Sequence, residues 1–293
     1  MTILENPTGP LPRTRPVIEP VRSARTRAYG MCTPEHFEVA YAINAWMDPS
    51  VPVDRARAMR QWQELHRTHL DLGHRIELLA PLPGLPDMVF AANGAVVVGG
   101  RAYGARFRHD ERRPEAQAHA AWLRAHGISV HTPEHVNEGE GDFLVLRDVI
   151  LAGTGFRTSV AAHEEAARVL GRRVVSLELV DPRFYHLDVA LGILDDGGGD
   201  APADIAYVPE AFSASSRAVL DDLFPGALHC SVEDALAFGL NLVSDGRNVV
   251  LPSAATRLAQ EIAARGYTPV PVDLSEFVKA GGSVKCCTME WHA

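Results

Sequence analysis

The chain has 293 residues, 46% of them apolar and 22% charged, and a formal net charge of −9. That is enough to bury one large core or two modest ones, and a negative balance argues against a nucleic-acid partner, which calls for a basic face. No apolar run approaches the roughly 18 residues needed to cross a bilayer and no apolar leader opens the chain, so the expectation is a cytoplasmic protein with no membrane association.

In chain order, the first thirty residues carry five Arg and five Pro without apolar periodicity. Residues 1–28 are therefore predicted to be a flexible arm, with 29–293 as a single domain. "MCTPEHFEVAYAINAWM" follows and reads as a hairpin lacking its own preceding strand.

Five amphipathic helical stretches then recur: "VDRARAMRQWQELHRTHLDLG", "RRPEAQAHAAWLRAHG", "SVAAHEEAARVLG", "SASSRAVLDDLFPG" and "AATRLAQEIAARG". Each closes on Gly or Pro-Gly, as a helix C-terminus should. In the last, Ala255, Leu258, Ala259 and Ile262 share one face. After each helix comes a short β-like run ("HRIELLAP", "ISVHTP", "RRVVSLEL", "ALHCS", "YTPVPVDL"), then a loop bearing a polar residue. These polar positions, Asn93, Asp142, Asp188, Asn241 and Cys286, recur at intervals of roughly 50 residues, the signature of a repeat that must pack against its siblings. In four copies a hairpin-like pair follows, as in "GAVVVGGRAYGARF". The last copy stops at its final strand and the first lacks its opening one, so sharing a unit between the two ends would close the array. The fold predicted is α/β, a five-bladed ββαβ propeller with fivefold pseudosymmetry and loops converging on its axis.

Those loops would gather Asn44, Asn93, Glu140, Asp142, His186, Asp188, Asn241 and Cys286 around one cavity. The four cysteines, Cys32, Cys230, Cys286 and Cys287, do not form a disulfide scaffold, and neither a C-x2-C pair nor an H-E-x-x-H motif is present to suggest zinc. No metal is expected. Cysteine attacks as the thiolate and needs a cationic neighbour or a base. Cys286 is the candidate nucleophile and His186 its partner, while Cys287, one step along a strand, should face the other way and serve packing. Strand alternation would point His186 and Asp188 to one side, and an extended "NEGEGDF" would do the same for Glu138, Glu140 and Asp142. So many acids facing one axis suit a cationic substrate, and a planar guanidinium best fits carboxylate forks.

With "PDMVFAANGAVV", "EGEGDF", "YHLDVAL" and "GGSVKCCTM" in this order and spacing, residues 29–292 resemble the guanidine-modifying enzymes of the pentein fold. That group includes dimethylarginine dimethylaminohydrolase, arginine deiminase, arginine dihydrolase and the amidinotransferases. The resemblance implies Cys286 as nucleophile, His186 as general acid/base and Glu140 as the acid that holds the guanidinium and assists proton transfer. Asp188 would bind the guanidinium nitrogens, and Arg112 and Arg157 the α-carboxylate of an arginine-like small molecule. It implies no cofactor, and it leaves open whether the chain is a monomer or a homo-oligomer.

Two departures stand out. The acid of the family's E-x-G-D loop lies three residues before its Asp, which here is Gly139, so Glu140 or Glu138 must substitute. Asn93 stands where dimethylarginine hydrolases and deiminases have Asp, and a neutral amide can donate to a ureido oxygen where a carboxylate cannot. Asn93 and Asn44 resemble the arginine dihydrolase subgroup. The expected activity is therefore hydrolysis of arginine to ornithine, ammonia and carbon dioxide through a thiouronium intermediate. Dimethylargininase activity is the alternative, with an amidinotransferase or a non-catalytic binding protein of the same fold behind it.

Overall fold

The five amphipathic stretches fold as helices in a computed structural model that describes residues 22–199 and 201–293. In chain order the strands and helices are β1 (Ala28–Cys32), α1 (Arg55–Asp71), β2 (Arg75–Leu79), β3 (Ala95–Val98), β4 (Arg101–Gly104), α2 (Glu115–Ala125), β5 (Ser129–His131), β6 (Phe143–Val145), β7 (Val149–Thr154), α3 (Val160–Leu170) and β8 (Arg173–Glu178). They continue with β9 (Leu191–Asp195), β10 (Asp204–Tyr207), α4 (Ala214–Leu223), β11 (Leu228–His229), α5 (Val232–Leu236), β12 (Val243–Ser244), β13 (Asn248–Pro252), α6 (Thr256–Ala264), β14 (Thr268–Val272), α7 (Ser275–Val278) and β15 (Met289–His292). Local chemistry sets the helix ends. The Asp54 side chain accepts from Arg57 N at 2.9 Å at the start of α1, and Gly171 takes a left-handed φ of 65° at the end of α3.

One connectivity repeats. In β3-β4-α2-β5, the first two strands pair antiparallel, the helix crosses over, and the third strand returns parallel to the second. The runs from β6 to β8, β9 to β11 and β12 to β14 follow the same rule. The remaining group is assembled from both ends of the chain: β15 pairs antiparallel with β1, and β1 parallel with β2. Joining the termini in one sheet answers the half-units read at each end of the sequence. This group merges with β3-β4-β5 into the order β2-β1-β15-β3-β4-β5, while the other three sheets have three strands each. All four residues of β3, "AVVV", are buried, so that strand shows a continuous apolar run rather than alternation.

Three expectations are corrected. "MCTPEHFEVAYAINAWM" is not a hairpin: it finishes β1, makes a short 3-10 turn at Pro34–His36 and then runs irregularly. Residues 1–21 of the predicted arm lie outside the described residues, but 22–28 are pinned rather than free. Arg25 and Arg27 both bind Asp196, Arg22 and Arg25 pair with Asp195, Arg22 also reaches Asp204, and Arg27 reaches Glu290 on β15. Finally, the turns at 139–141 and 187–189 are 3-10 rather than extended, which changes where the acids point.

Burial acts against the Asp196 carboxylate, but Arg27, Arg25 and the Gly198 N–H overcome it and hold its pKa at about 2. A carboxyl lowered on folding stabilises above its unfolded pKa of 3.8 and loses that contribution as pH falls toward about 2. Asp196→Asn is thus expected to cost about 1–2 kcal/mol at pH 7, or roughly 2–8 °C in Tm. The gap to the parent should close below about pH 3 in thermal melts, and a gap independent of pH would show that the ion pairs are not its source.

Candidate active site

Each repeated group carries a tight loop or turn just before its first strand, and these loops are hydrogen-bonded to one another. Ala92 N donates to Cys286 O (3.0 Å), Cys286 N to the Asn241 side-chain oxygen (3.2 Å), and Asn241 Nδ2 to Asp188 O (3.1 Å). Leu187 N donates to Asp142 Oδ1 (3.1 Å), and Asn93 Nδ2 to Glu138 O (3.4 Å), which returns the chain of contacts to its start. Two glycines make the approach possible. A Cβ on Gly139, at φ 54°, would fall 2.7 Å from both Ala92 O and Asn93 O. One on Gly141 would fall 2.4 Å from Asn93 Nδ2 and 3.0 Å from His186 Nδ1.

Cys286 does not lie on a strand. It sits in a turn closed by Cys287 N to Ser283 O (3.1 Å) and Thr288 N to Lys285 O (2.9 Å). Its buried sulfur lies between two side chains, with Asp188 Oδ2 at 3.2 Å accepting a hydrogen bond from the thiol and Asn241 Nδ2 at 3.1 Å donating to the sulfur. Cys287 is fully buried in the apolar cluster with Phe37, Phe90 and Phe277, the packing role expected of it. Burial first, and then the Asp188 charge, push the Cys286 thiol well above its ordinary range.

His186 is buried against the Tyr185 ring, and its Nε2 lies 2.8 Å from Glu138 Oε2. With a carboxylate at Nε2 the proton belongs there, so Nδ1 presents its lone pair. His186 Nδ1 and Asp188 Oδ1 are buried, and neither has a partner among the described residues. Burial alone would raise Glu138, but Arg157 (Nη1 to Oε2, 2.7 Å) and His186 hold it well below the usual carboxylate range. Asp188 has no arginine on it, and burial outweighs the opposing pull of His186, the Cys286 thiol and Lys285 to lift it to about 6.

The acid beside the histidine is therefore Glu138, and the expectation for Glu140 is corrected. Gly139 reverses the chain between them, so Glu140 faces the other way and is saturated by Lys285 Nζ, Glu290 N and His292 Nε2, each at 2.8 Å. Asp142 is likewise structural, with Oδ1 on Leu187 N and Oδ2 on Thr158 N (3.2 Å).

Arg112 and Arg157 both point inward and are buried. Arg112 joins Glu115, Asn93 Oδ1 (2.7 Å) and Asp87 O (3.2 Å), while Arg157 spans Glu138 and Ile43 O (2.8 Å) above the Tyr185 ring. Asn44 is not brought to the sulfur. Its amide donates to Ala280 O (3.1 Å) and accepts from Trp46 N (2.9 Å). It belongs to an irregular segment tied to the loops of several groups, through Tyr41 to Asp87 (3.0 Å), Ile43 to Arg157, and Trp46 to Arg183 O (2.9 Å). Asp87, within the quoted "PDMVFAANGAVV", was not singled out from sequence. It is buried, its Oδ1 has no partner among the described residues, and its Oδ2 lies 3.8 Å from Arg112. Among the described residues no group of three or more His, Cys, Asp or Glu is arranged to hold a metal ion, and no helix is long and apolar enough to cross a membrane.

No family model matches the chain. An N(G),N(G)-dimethylarginine dimethylaminohydrolase of Mycobacterium tuberculosis is 54% identical over 271 residues, 92% of this chain and 88% of that protein. The bifunctional arginine dihydrolase/ornithine cyclodeaminase ArgZ of Synechocystis is 36% identical over 88% of this chain and 37% of its own length. The product-bound N-terminal domain of ArgZ, described as an arginine dihydrolase from the ornithine–ammonia cycle in cyanobacteria, superposes with a TM-score of 0.85 at 34% identity, covering 91% of this chain and 98% of that one. A dimethylarginine dimethylaminohydrolase adduct at 20% identity, with a TM-score of 0.72 over 91% of this chain and all of that one, shares the fold.

A carboxyl raised on folding favours the folded state while protonated, so its contribution is present below the unfolded pKa of 3.8 and lost as pH rises through about 6. The ionised Asp188 is thus a destabilising element at neutral pH. Asp188→Asn should raise the Tm of the ligand-free protein at pH 8, with the gain shrinking toward pH 4. An unchanged or lower Tm at pH 8 would refute an uncompensated charge at this position.

Proposed function

Because the chain belongs to the pentein guanidine-modifying enzymes, among the hydrolases of guanidino C–N bonds, we propose that it hydrolyses an N-methylated arginine to citrulline and dimethylamine, with residues 29–293 as one five-bladed catalytic propeller. One observation carries the chemistry: a thiol held between Asp188 and Asn241, with Asp188 Oδ1 and, two residues earlier in the same loop, His186 Nδ1 both buried and unspent. The choice of leaving amine rests on the 54%-identical relative, whose name is dimethylarginine dimethylaminohydrolase. It displaces the order expected from sequence, in which arginine dihydrolase came first.

The steps follow from the groups in place. A guanidinium entering beside Asp188 gives the unspent Oδ1 a donor and sets a cation against the sulfur, which lowers a thiol pKa that burial had raised. The thiol proton passes to His186 Nδ1, and the thiolate attacks the guanidinium carbon. His186 returns that proton to the departing amine as the C–N bond breaks, leaving an S-alkylthiouronium on Cys286. Glu138, kept ionised by Arg157, stabilises the imidazolium in both directions. Water deprotonated by His186 then adds to the same carbon, the C–S bond breaks as His186 returns that proton to the sulfur, and the ureido product leaves once its hydroxyl proton passes to solvent. Arg112 supplies a cation for an α-carboxylate, and Asp87 Oδ1 an acceptor for the neighbouring α-ammonium.

Asn93 favours a second reading. Its oxygen is held by Arg112, while its Nδ2 makes only a 3.4 Å contact to Glu138 O. That leaves a neutral donor suited to a ureido oxygen, which supports continued hydrolysis of a citrulline-like intermediate to ornithine, as in an arginine dihydrolase.

Mass-spectrometric analysis after incubation with dimethylarginine, arginine or citrulline separates the two. Equimolar citrulline and dimethylamine without ornithine is the expected outcome, ornithine with two equivalents of ammonia from arginine would install the second reading, and no turnover of any guanidino compound would remove both. Independently, Glu138→Gln should lower kcat by about 10²-fold or more. Glu140→Gln should act chiefly on thermal stability, and the reverse ranking would return the acid role to Glu140.

A further inference from the structure

Asn241 grips the nucleophile turn at three points. Its backbone oxygen accepts from Lys285 N (3.2 Å), its side-chain oxygen accepts from Cys286 N (3.2 Å), and its Nδ2 donates to Cys286 Sγ (3.1 Å). The same Nδ2 also reaches Asp188 O (3.1 Å), so the amide plane is held from both sides. It is fully buried. The segment that presents it is held in an unusual conformation. Phe238 has φ 61°, the one non-glycine residue at positive φ among the described residues, and Asn241 N bonds back to Phe238 O at 2.9 Å. A bulky aromatic in the left-handed region is disfavoured. Here the Phe238 ring is buried against Trp46 with centroids 4.7 Å apart, which offsets the cost of the turn.

The two side-chain partners of the sulfur play opposite parts. Asp188 Oδ2 can accept a proton from the thiol, but it repels the thiolate once that proton leaves. Asn241 Nδ2 donates in either state, and its bond strengthens as charge builds on sulfur. We propose that Asn241 is a catalytic residue of this site, a thiolate donor that fixes the sulfur's direction and sustains its ionised form. The proposal deepens the hydrolase reading for its consequence in turnover, but the donor itself belongs to the free protein and needs no substrate to be detected.

The test is alkylation of Cys286 by neutral iodoacetamide at pH 8, with modification assigned by peptide mass spectrometry so that Cys32, Cys230 and Cys287 do not contribute. The rate follows the thiolate fraction. Asn241→Asp keeps the acceptor for Cys286 N and loses the donor, while Asn241→Leu loses both without adding charge. Both variants are expected to alkylate about tenfold more slowly or worse, a shift of about one pKa unit or more. Asp188→Asn, which removes the repelling charge, should alkylate faster. A slower rate in Asn241→Asp alone would assign the effect to added charge, and a slower rate in Asn241→Leu alone would assign it to the backbone grip. Either result, or parental rates in both, overturns the proposal. Should Asn241→Leu fail to give a cooperative melt, Asn241→Ala serves as the uncharged comparison without a donor. An Asn241-dependent alkylation rate in a protein inert toward every guanidino compound would sink the hydrolase reading and leave the thiolate donor standing.

Discussion

The site exists because the loops preceding the first strands are bonded to one another rather than to solvent. Residues as distant in sequence as Asn93 and Cys286 meet through the relay from Ala92 to Cys286, Cys286 to Asn241 and Asn241 to Asp188. A buried hydrogen bond contributes only about 0.5–1.5 kcal/mol net, but leaving its partner unsatisfied costs about 1–3 kcal/mol. The relay therefore resists partial opening: releasing one loop strands a polar atom on the next. That requirement explains the glycines at 139 and 141, where any side chain would part the loops. It also explains why β15 must pair with β1, since the turn carrying Cys286 is anchored immediately before that strand.

Within this frame, charge rather than apolar burial decides reactivity. Glu138 is buried with Arg157 and His186 as partners and stays ionised. Asp188, a few residues from that same histidine, is buried with only a thiol on one oxygen and nothing on the other among the described residues. Two acids in one pocket are thus separated in acidity by their partners. The charge on Asp188 is unfavourable in the empty site, and a cation bound beside it would relieve that cost.

Much of the scaffold was legible because it rests on patterns with a fixed period. The five long helices announce themselves by apolar spacing and terminal glycines, and the β-like runs after them sit within a residue or two of the strands observed. Short elements such as α5 and α7 are too brief to carry a period, and went unread. The residues that meet in the candidate site are legible by type and by recurrence, not by direction. Alternation directs side chains only along extended backbone, whereas "YHLDV" and "NEGEGDF" both pass through 3-10 turns. In the second, a glycine at positive φ sends Glu138 and Glu140 to different partners. Nothing in the local composition separates the two glutamates, because the distinction comes from Arg157 and His186 on one side and Lys285 and His292 on the other. Arg22, Arg25 and Arg27 posed the same difficulty, since their acidic partners lie some 170 residues away in sequence or beyond.

Arg157 connects the electrostatics of the site to its cover. One of its nitrogens holds Glu138 and the other holds Ile43 O, in the irregular segment that also touches Asp87, Ala280 and Arg183. Both partners are held at once, so displacing that segment would free one Arg157 nitrogen without releasing Glu138. A lysine at this position could not do both, because its single ammonium lacks the rigid fork that keeps two partners apart. The hold on Glu138 and the tie to the irregular segment are thereby assigned to separate nitrogens of one planar group.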